Sequence, residues 1–237
     1  GELGAFYLLA MLAGTKPRGL PGARLSRVAF QGADRGFALD DLILHGATSA
    51  GDTLLEIQSK RTVTFATRDQ VFKEVCEQIA SSVVKTVGKQ SHLMAVATQR
   101  TSHAISGPYQ DVLEWARVAD NGMDFFKRLR LKGVAGKQMR TFSATFRRNL
   151  IDAGIADDDE LIWGTMRRFQ ILEFDFESSS PLAKTYALML ARMSLAAGDA
   201  SKVGALWEAL IAISIGEAKS GGSLTRDELR SKVTDLG

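Results

Sequence analysis

The hydrophobic positions change period along the chain, and each change predicts an element. Residues 3–13 are an almost unbroken apolar run of helical character, which predicts a buried helix. Residues 14–22 collect glycines around Pro17 and Pro21 and predict a loop. Residues 27–30 predict a short strand, 36–46 a second ending at Gly46, and 53–60 a third, with 47–52 as the hairpin turn. Thr67-Arg68-Asp69-Gln70 has the spacing of a capping box, and Val71, Phe72, Val75, Ile79 and Val83 follow at helical intervals. Residues 92–98 form a short apolar run that predicts a buried strand beside the earlier ones. Strand, strand, helix, strand predicts an α/β core whose last connection is a crossover.

From Tyr109 onward the pattern is mostly helical. The exception is 169–176, whose second half alternates apolar and polar and predicts a strand. Ser180-Pro181 reads as a cap with a first-turn proline, opening a helix that runs to about Ala197 and stops at Gly198. A second helix is expected over 201–215, with a turn at Gly221-Gly222. Thr225 and Glu228 then form a capping box between Leu224 and Leu229, which act as a hydrophobic staple. The expected organisation is an α/β core over 1–108 and a mainly helical extension over 109–237, packing on the core or mediating assembly. An opening without Met and a freshly capped helix near the end suggest a fragment of a longer protein.

Composition narrows the class. The chain has 237 residues, 30 Lys and Arg against 27 Asp and Glu, and hence a net charge of 30 − 27 = +3. With 45% hydrophobic and 24% charged residues it is globular in composition. One cysteine, Cys76, excludes an internal disulfide and argues against a cysteine-built zinc site. No apolar run approaches the roughly 20 residues of a membrane helix, and residues 3–13 lack the basic flank of a signal peptide. A soluble, cytoplasmic protein with no membrane partner is expected. His45, His92 and His103 have no metal-ligand spacing, Cys76 sits on an apolar helical face, and no phosphate-binding glycine loop is present.

The chemistry concentrates in Leu54-Leu55-Glu56-Ile57-Gln58-Ser59-Lys60-Arg61. On a strand, Glu56, Gln58 and Lys60 share one face while Leu55 and Ile57 point the other way. Burying a carboxylate, an amide and an ammonium costs several kcal/mol unless they are paired or hold an ion. The preceding strand supplies Asp40 and Asp41. An Asp carboxylate and the Gln58 amide oxygen suit a hard divalent cation. Lys60 could then orient or deprotonate the attacking water and stabilise charge on a phosphate. The alternative is a solvated hairpin face with ordinary cross-strand charge pairing.

At Asp41 and Gln58-Ser59-Lys60 the chain resembles the PD-(D/E)XK nuclease superfamily, in the form where Gln replaces Glu. It is most similar to the Mrr-like branch and to the double-stranded DNA endonuclease domains at the N-termini of bacterial anti-phage effectors. These include nucleases fused to SAVED sensors and nucleases preceding STAND NTPase modules. The resemblance covers about residues 1–100. It implies a restriction-endonuclease-like α/β core with a mixed central sheet. It implies Mg²⁺, with Mn²⁺ as a substitute, held by Asp41 and Gln58, with Asp40 as the alternative acid and Glu2 as the first helix's contribution. Lys60 is the implied catalytic ammonium, and Glu56 a supporting or second-metal acid. Double-stranded DNA as substrate, a homo-oligomeric assembly and a C-terminal sensor or NTPase region outside this chain are implied as well.

Charge is distributed unevenly too. Residues 125–151 contain no acid but include Lys127, Arg128, Arg130, Lys132, Lys137, Arg140, Arg147 and Arg148. Such a block can neutralise a phosphate backbone without reading its sequence. Arg61, Lys127, Arg128, Arg130 and Lys132 are the candidate nucleic-acid contacts. Intramolecular pairing with the acids at 157–160 is the equal alternative. The expected function is a metal-dependent DNA endonuclease domain of an anti-phage effector. Its rival is an inactive nuclease-fold module that binds nucleic acid or mediates oligomerisation, and an RNA substrate stays open.

Overall fold

The structure, a computed structural model, describes residues 1–86, 89, 91–99 and 102–234. In chain order they form α1 (Glu2–Ala13), β1 (Arg24–Phe30), β2 (Leu42–Thr48), β3 (Gly51–Lys60) and α2 (Gln70–Lys85). Next come β4 (His92–Thr98), α3 (Gln110–Val118), α4 (Gly122–Arg130), α5 (Lys137–Asp152), α6 (Asp159–Arg168) and β5 (Phe169–Glu173). The order ends with α7 (Leu182–Ser194), α8 (Val203–Ser220), β6 (Ser223–Thr225) and α9 (Arg226–Thr234). The fold is α/β with mixed strand pairing. Two compact units divide the chain, one of Gly1–Ile57 with Phe174–Gly237, the other of Gln58–Glu173.

The first unit is organised around α1. A helix that is apolar all round must be surrounded, and Gly4 to Met11 are all buried. Its neighbours are β1, α7, α8 and α9. Gly4 permits the approach of α8, because a Cβ there would lie 2.1 Å from Ser214 Oγ and 2.7 Å from a Phe30 ring carbon. Arg226 donates to the Leu12 carbonyl at 2.7 Å and so satisfies the end of α1. The strands of this unit run antiparallel in the order β3-β2-β1-β6. β6 was not expected from the sequence, because three residues are too few to show a period. The capping box at Thr225 forms as expected, with Thr225 N and Oγ1 donating to Glu228 Oε2 at 2.7 and 2.8 Å.

Two expectations in this unit change. The strand expected over 36–46 begins only at Leu42. A 3₁₀ turn at Gly32–Arg35 and left-handed Gly36 (φ 85) break the extended run, so Asp40 and Asp41 precede β2. At α7 the cap is not Ser180. Asp175 accepts from Leu182 N at 2.9 Å and Ala183 N at 2.8 Å, and the helix starts after Pro181.

In the second unit, α2 starts one turn's fraction later than the capping-box spacing suggests. Asp69, not Thr67, is the cap, with Oδ1 accepting from Val71 N at 3.0 Å and Phe72 N at 3.3 Å. Its other oxygen accepts from Thr64 N at 2.6 Å and Phe65 N at 3.1 Å. These bonds hold Phe65 in a left-handed conformation, φ 57, which a bulky residue rarely adopts. The cost is offset by burial of the ring against Phe72, Tyr109 and Phe142. β4 pairs in parallel with β5, Met94 opposite Phe169, and helices α3 to α6 make the crossover between them. The strand expected over 169–176 ends at Glu173. Cys76 is a core residue whose thiol is pushed up in pKa by burial, as its place on the apolar face of α2 implies.

Candidate active site on the third strand

Leu55 and Ile57 of β3 are fully buried, as a core-facing set should be. Alternation would leave Glu56 and Gln58 to solvent, yet they are only 2% and 7% exposed. From Leu55 to Gln58, therefore, β3 is covered on both faces. Strands covered this way ordinarily carry apolar side chains throughout. A carboxylate and an amide at such positions must be satisfied locally.

Glu56 is satisfied by backbone. Its Oε2 accepts from Ala38 N at 3.2 Å and Leu39 N at 3.1 Å. Those N–H groups belong to the segment leading into β2, so the Glu56 carboxylate pins the stretch that carries Asp40 and Asp41. The register pairs Leu42 with Ile57 and Ile43 with Glu56, which puts Asp41 immediately before the first paired residue. Gln31 helps to hold it: the amide donates to Asp41 Oδ1 at 3.4 Å, and Gln31 N donates to the Asp41 carbonyl at 3.4 Å. Gly32 N donates to the Asp40 carbonyl at 2.7 Å. Gln31 itself is left-handed, φ 48, a local strain adjoining the acid pair.

Glu2 opens α1. Gly4 packs on the Phe30 side chain, and Phe30 is paired with Leu42. The first turn of α1 is thus delivered to the place where β1 ends and β2 begins, with Glu2 half-buried in it.

On the far side of Ile57, Gln58 Oε1 accepts from Gln78 Nε2 of α2 at 2.9 Å. The side-chain amide oxygen of Gln78, Oε1, is buried without a hydrogen-bond partner. Gln78 was missed in the sequence; the available signal was a polar residue at the margin of the apolar face built by Val75 and Ile79. Lys60, 26% exposed at its side chain, has its ammonium 3.9 Å from a Glu74 carboxylate oxygen, also on α2. Arg61 is exposed just past the strand. Among the described residues no three His, Cys, Asp or Glu side chains gather as a metal cluster.

The basic block divides between the two alternatives set out for it. Lys127, Arg128, Arg130 and Lys132 are exposed on or just after α4. Arg128 lies 3.8 Å over the Trp115 ring, and Arg130 approaches Asp159 at 3.7 Å. Arg147 is paired with Asp157 at 2.6 Å and with Asp159, while Arg148 pairs with Asp152 at 2.9 Å. Intramolecular pairing with the acids at 157–160 is therefore real for Arg147 and Arg130, whereas the Lys127 and Lys132 side chains face solvent. No described helix is long and apolar enough to cross a membrane.

Comparison with known proteins bears on the fold. No protein-family model matches the chain, and no curated protein does. Among solved structures it is similar to the Acinetobacter baumannii Cap4 SAVED/CARF-domain containing receptor, with TM-score 0.55 and 14% identity, covering 100% of this chain and 46% of that one. The same receptor with the cyclic trinucleotide 3'3'3'-cAAA gives TM-score 0.54 at 14% identity, covering 100% of this chain and 44% of that one. Its complex with 2'3'3'-cAAA gives 0.52, again at 14% identity and with 100% and 44% covered. The chain spans less than half the length of that receptor. At this identity the likeness is one of fold.

Proposed function

We propose that this chain is the DNA-cutting part of a larger anti-phage effector, a metal-dependent endonuclease of restriction-endonuclease-like fold. The observation that carries the reading is the polar line on β3: Glu56 and Gln58 buried at 2% and 7% exposure, with Lys60 two residues further on the same strand face. A core strand that only had to be stable would be apolar at these positions, because replacing buried polar sets by well-packed hydrophobes is often neutral or stabilising. Retaining them is what a catalytic strand requires. The receptor-length difference supports the rest. Both the Gln-x-Lys resemblance and the fold likeness lead to SAVED-containing proteins, and the fold match occupies under half of one.

In this reading, which follows the Gln-x-Lys resemblance, Asp41 and Gln58 would be the metal ligands, with Asp40 and Glu2 as further candidate oxygen donors. The donor set fits Mg²⁺, which takes one or two carboxylates plus waters and substrate oxygens rather than an all-protein cage. The ion, when bound, supplies Lewis acidity and a water of lowered pKa. Lys60 donates to the phosphate oxygen on which negative charge grows. Glu56 fixes the Asp40-Asp41 segment through its two backbone bonds. Gln78 sets the rotation of the Gln58 amide. A cytoplasmic setting and a homo-oligomer that brings two sites to one duplex belong to the same proposal.

One observation favours a second reading, an inactive module that binds nucleic acid: the Gln58 oxygen already has a partner in Gln78. Plasmid degradation in Mg²⁺ separates them. The wild-type chain, tested alone and in its full-length protein, should cut duplex DNA, and Lys60→Ala should lose about 100-fold or more of that rate. Equal cutting by both, or by neither in the full-length protein, sinks the catalytic reading. RNA run in parallel identifies the substrate class.

A further inference from the structure

Between α4 and α5 the second unit contains a cavity of about 260 Å³. It is lined by Phe126, Leu129 and Arg130 from α4 and by Arg140, Ser143 and Arg147 from α5. The spacing explains the set. Residues 126, 129 and 130 share one helix face, as do 140, 143 and 147. Phe126 and Leu129 are buried and form an apolar floor. Three guanidiniums stand around it, in a block of sequence without a single acid from 125 to 151.

The arginines are held rather than loose. The guanidinium carbons of Arg147 and Arg130 lie 4.9 Å and 5.8 Å from the Phe126 ring centroid. Asp157 and Asp159 grip Arg147, and Asp159 also lies near Arg130, yet neither aspartate lines the cavity. Burial works against the charge on Arg147, but its hydrogen bonds to Asp159 and Asp157 outweigh this and raise its pKa further. Arg140 is anchored through the Ala135 carbonyl. A guanidinium has five N–H donors, more than these partners use, so each keeps donors for a ligand. The Phe126 face is already covered by guanidiniums and is therefore no platform for stacking a base.

We infer that this cavity is a phosphate-binding pocket, taking a phosphodiester or phosphomonoester anion on Arg130, Arg140 and Arg147. Planar guanidinium forks match phosphate oxygens better than any other side chain. The volume falls just below the 300–1,000 Å³ range of pockets that take a whole drug-sized ligand. A phosphate group fits such a space. Exposed Lys127 and Lys132 beside it extend the positive field along a polyanion, which favours a nucleic-acid backbone as the source. The inference uses the nucleic-acid part of the preceding proposal and not the hydrolytic part.

The test is binding without cleavage. Fluorescence anisotropy with a labelled DNA duplex in EDTA, across a salt series, compares wild type with Arg140→Ala and Arg130→Ala. Lys219→Ala on α8 serves as the control, and thermal melting confirms that each variant is folded. Each pocket variant should bind about 5-fold or more weaker and lose about one unit from the slope of log K against log salt, while the control matches wild type. A second arm adds inorganic phosphate or a 5′-mononucleotide and follows the melting temperature. Stabilisation of wild type but not of Arg140→Ala, with duplex affinity unchanged between them, keeps the pocket and assigns it a free phosphate compound. Unchanged affinity and slope together with no phosphate-dependent stabilisation overturn it. Intact duplex binding by wild type without plasmid cleavage counts against the catalytic proposal and leaves this one standing.

Discussion

Two regions of this molecule place charged and polar groups where a fold would not need them, and they hold those groups in opposite ways. On β3 the buried Glu56 and Gln58 are tied to short-range partners inside the protein: two backbone N–H groups for one, the Gln78 amide for the other. Around the α4–α5 cavity, arginines are balanced by carboxylates at 157 and 159 that stay partly exposed. The first arrangement sits in low dielectric, where each unmade bond is expensive and salt has little reach. The second lies near solvent, where pairs are weak, screened and exchangeable. A polar set meant to keep one geometry is built the first way. A set whose partners can exchange is built the second way.

Glu56 carries the largest expected effect. Glu56→Ala leaves the N–H groups of Ala38 and Leu39 without their acceptor, and unfolding stability should fall by about 2–3 kcal/mol in urea or guanidinium titrations. The loss should be nearly the same at low and high salt. Glu56→Gln keeps one acceptor oxygen and should recover much of it. A salt-sensitive loss of under 0.5 kcal/mol would place Glu56 with the surface groups instead.

Asp69 offers an intermediate case, a carboxylate gripping backbone N–H groups as Glu56 does, but half-exposed at the start of α2. Burial opposes its charge, and the hydrogen bonds from Thr64, Phe72 and Phe65 overcome that, so its pKa is lowered from 3.8. A group depressed on folding contributes stability above its unfolded value and loses it as pH falls through the folded one. Stability should therefore decline below about pH 4 in wild type, and Asp69→Asn should flatten that limb while costing about 1 kcal/mol at neutral pH. An acid limb identical in both proteins removes Asp69 from the account.

The smallest effects belong to the arginine side. Arg147→Ala, which loses Asp157 and Asp159 together, should cost about 1 kcal/mol at low salt and less in 1 M salt. Arg148→Ala, which loses only an exposed pair four residues away, should change stability by no more than about 0.3 kcal/mol. Equal, salt-independent losses at the two positions would erase the contrast with β3.

The local signals in the sequence were strong where a residue's neighbours in the chain decide its state. The helix of 2–13, the hairpin of β2 and β3, the strand of 92–98 and the Thr225 capping box all follow from apolar period and turn chemistry. They were weak where a distant residue supplies the partner. Asp175 caps α7 from seven residues away, displacing Ser180, and Asp69 replaces Thr67 because its carboxylate also serves Thr64 and Phe65. The alternation Glu56, Gln58, Lys60 was legible as a pattern. Gln31 and Gln78 carried no such mark, since each acquires its role only when another segment is folded against it.

By itself, then, the sequence determined the order of elements from the first helix to the strand at 92–98, the polar line on β3 and the acid-free run from 125 to 151. Those depend on period and composition, which are properties of adjacent residues. Tertiary structure alone decided that Glu56 and Gln58 of the β3 line are buried rather than solvated, that Glu56 is committed to the Ala38–Leu39 backbone, and that three of eight basic side chains in that run meet around one cavity. Burial and convergence depend on which segments pack together, and nothing local to a strand or a helix encodes its neighbour across the core.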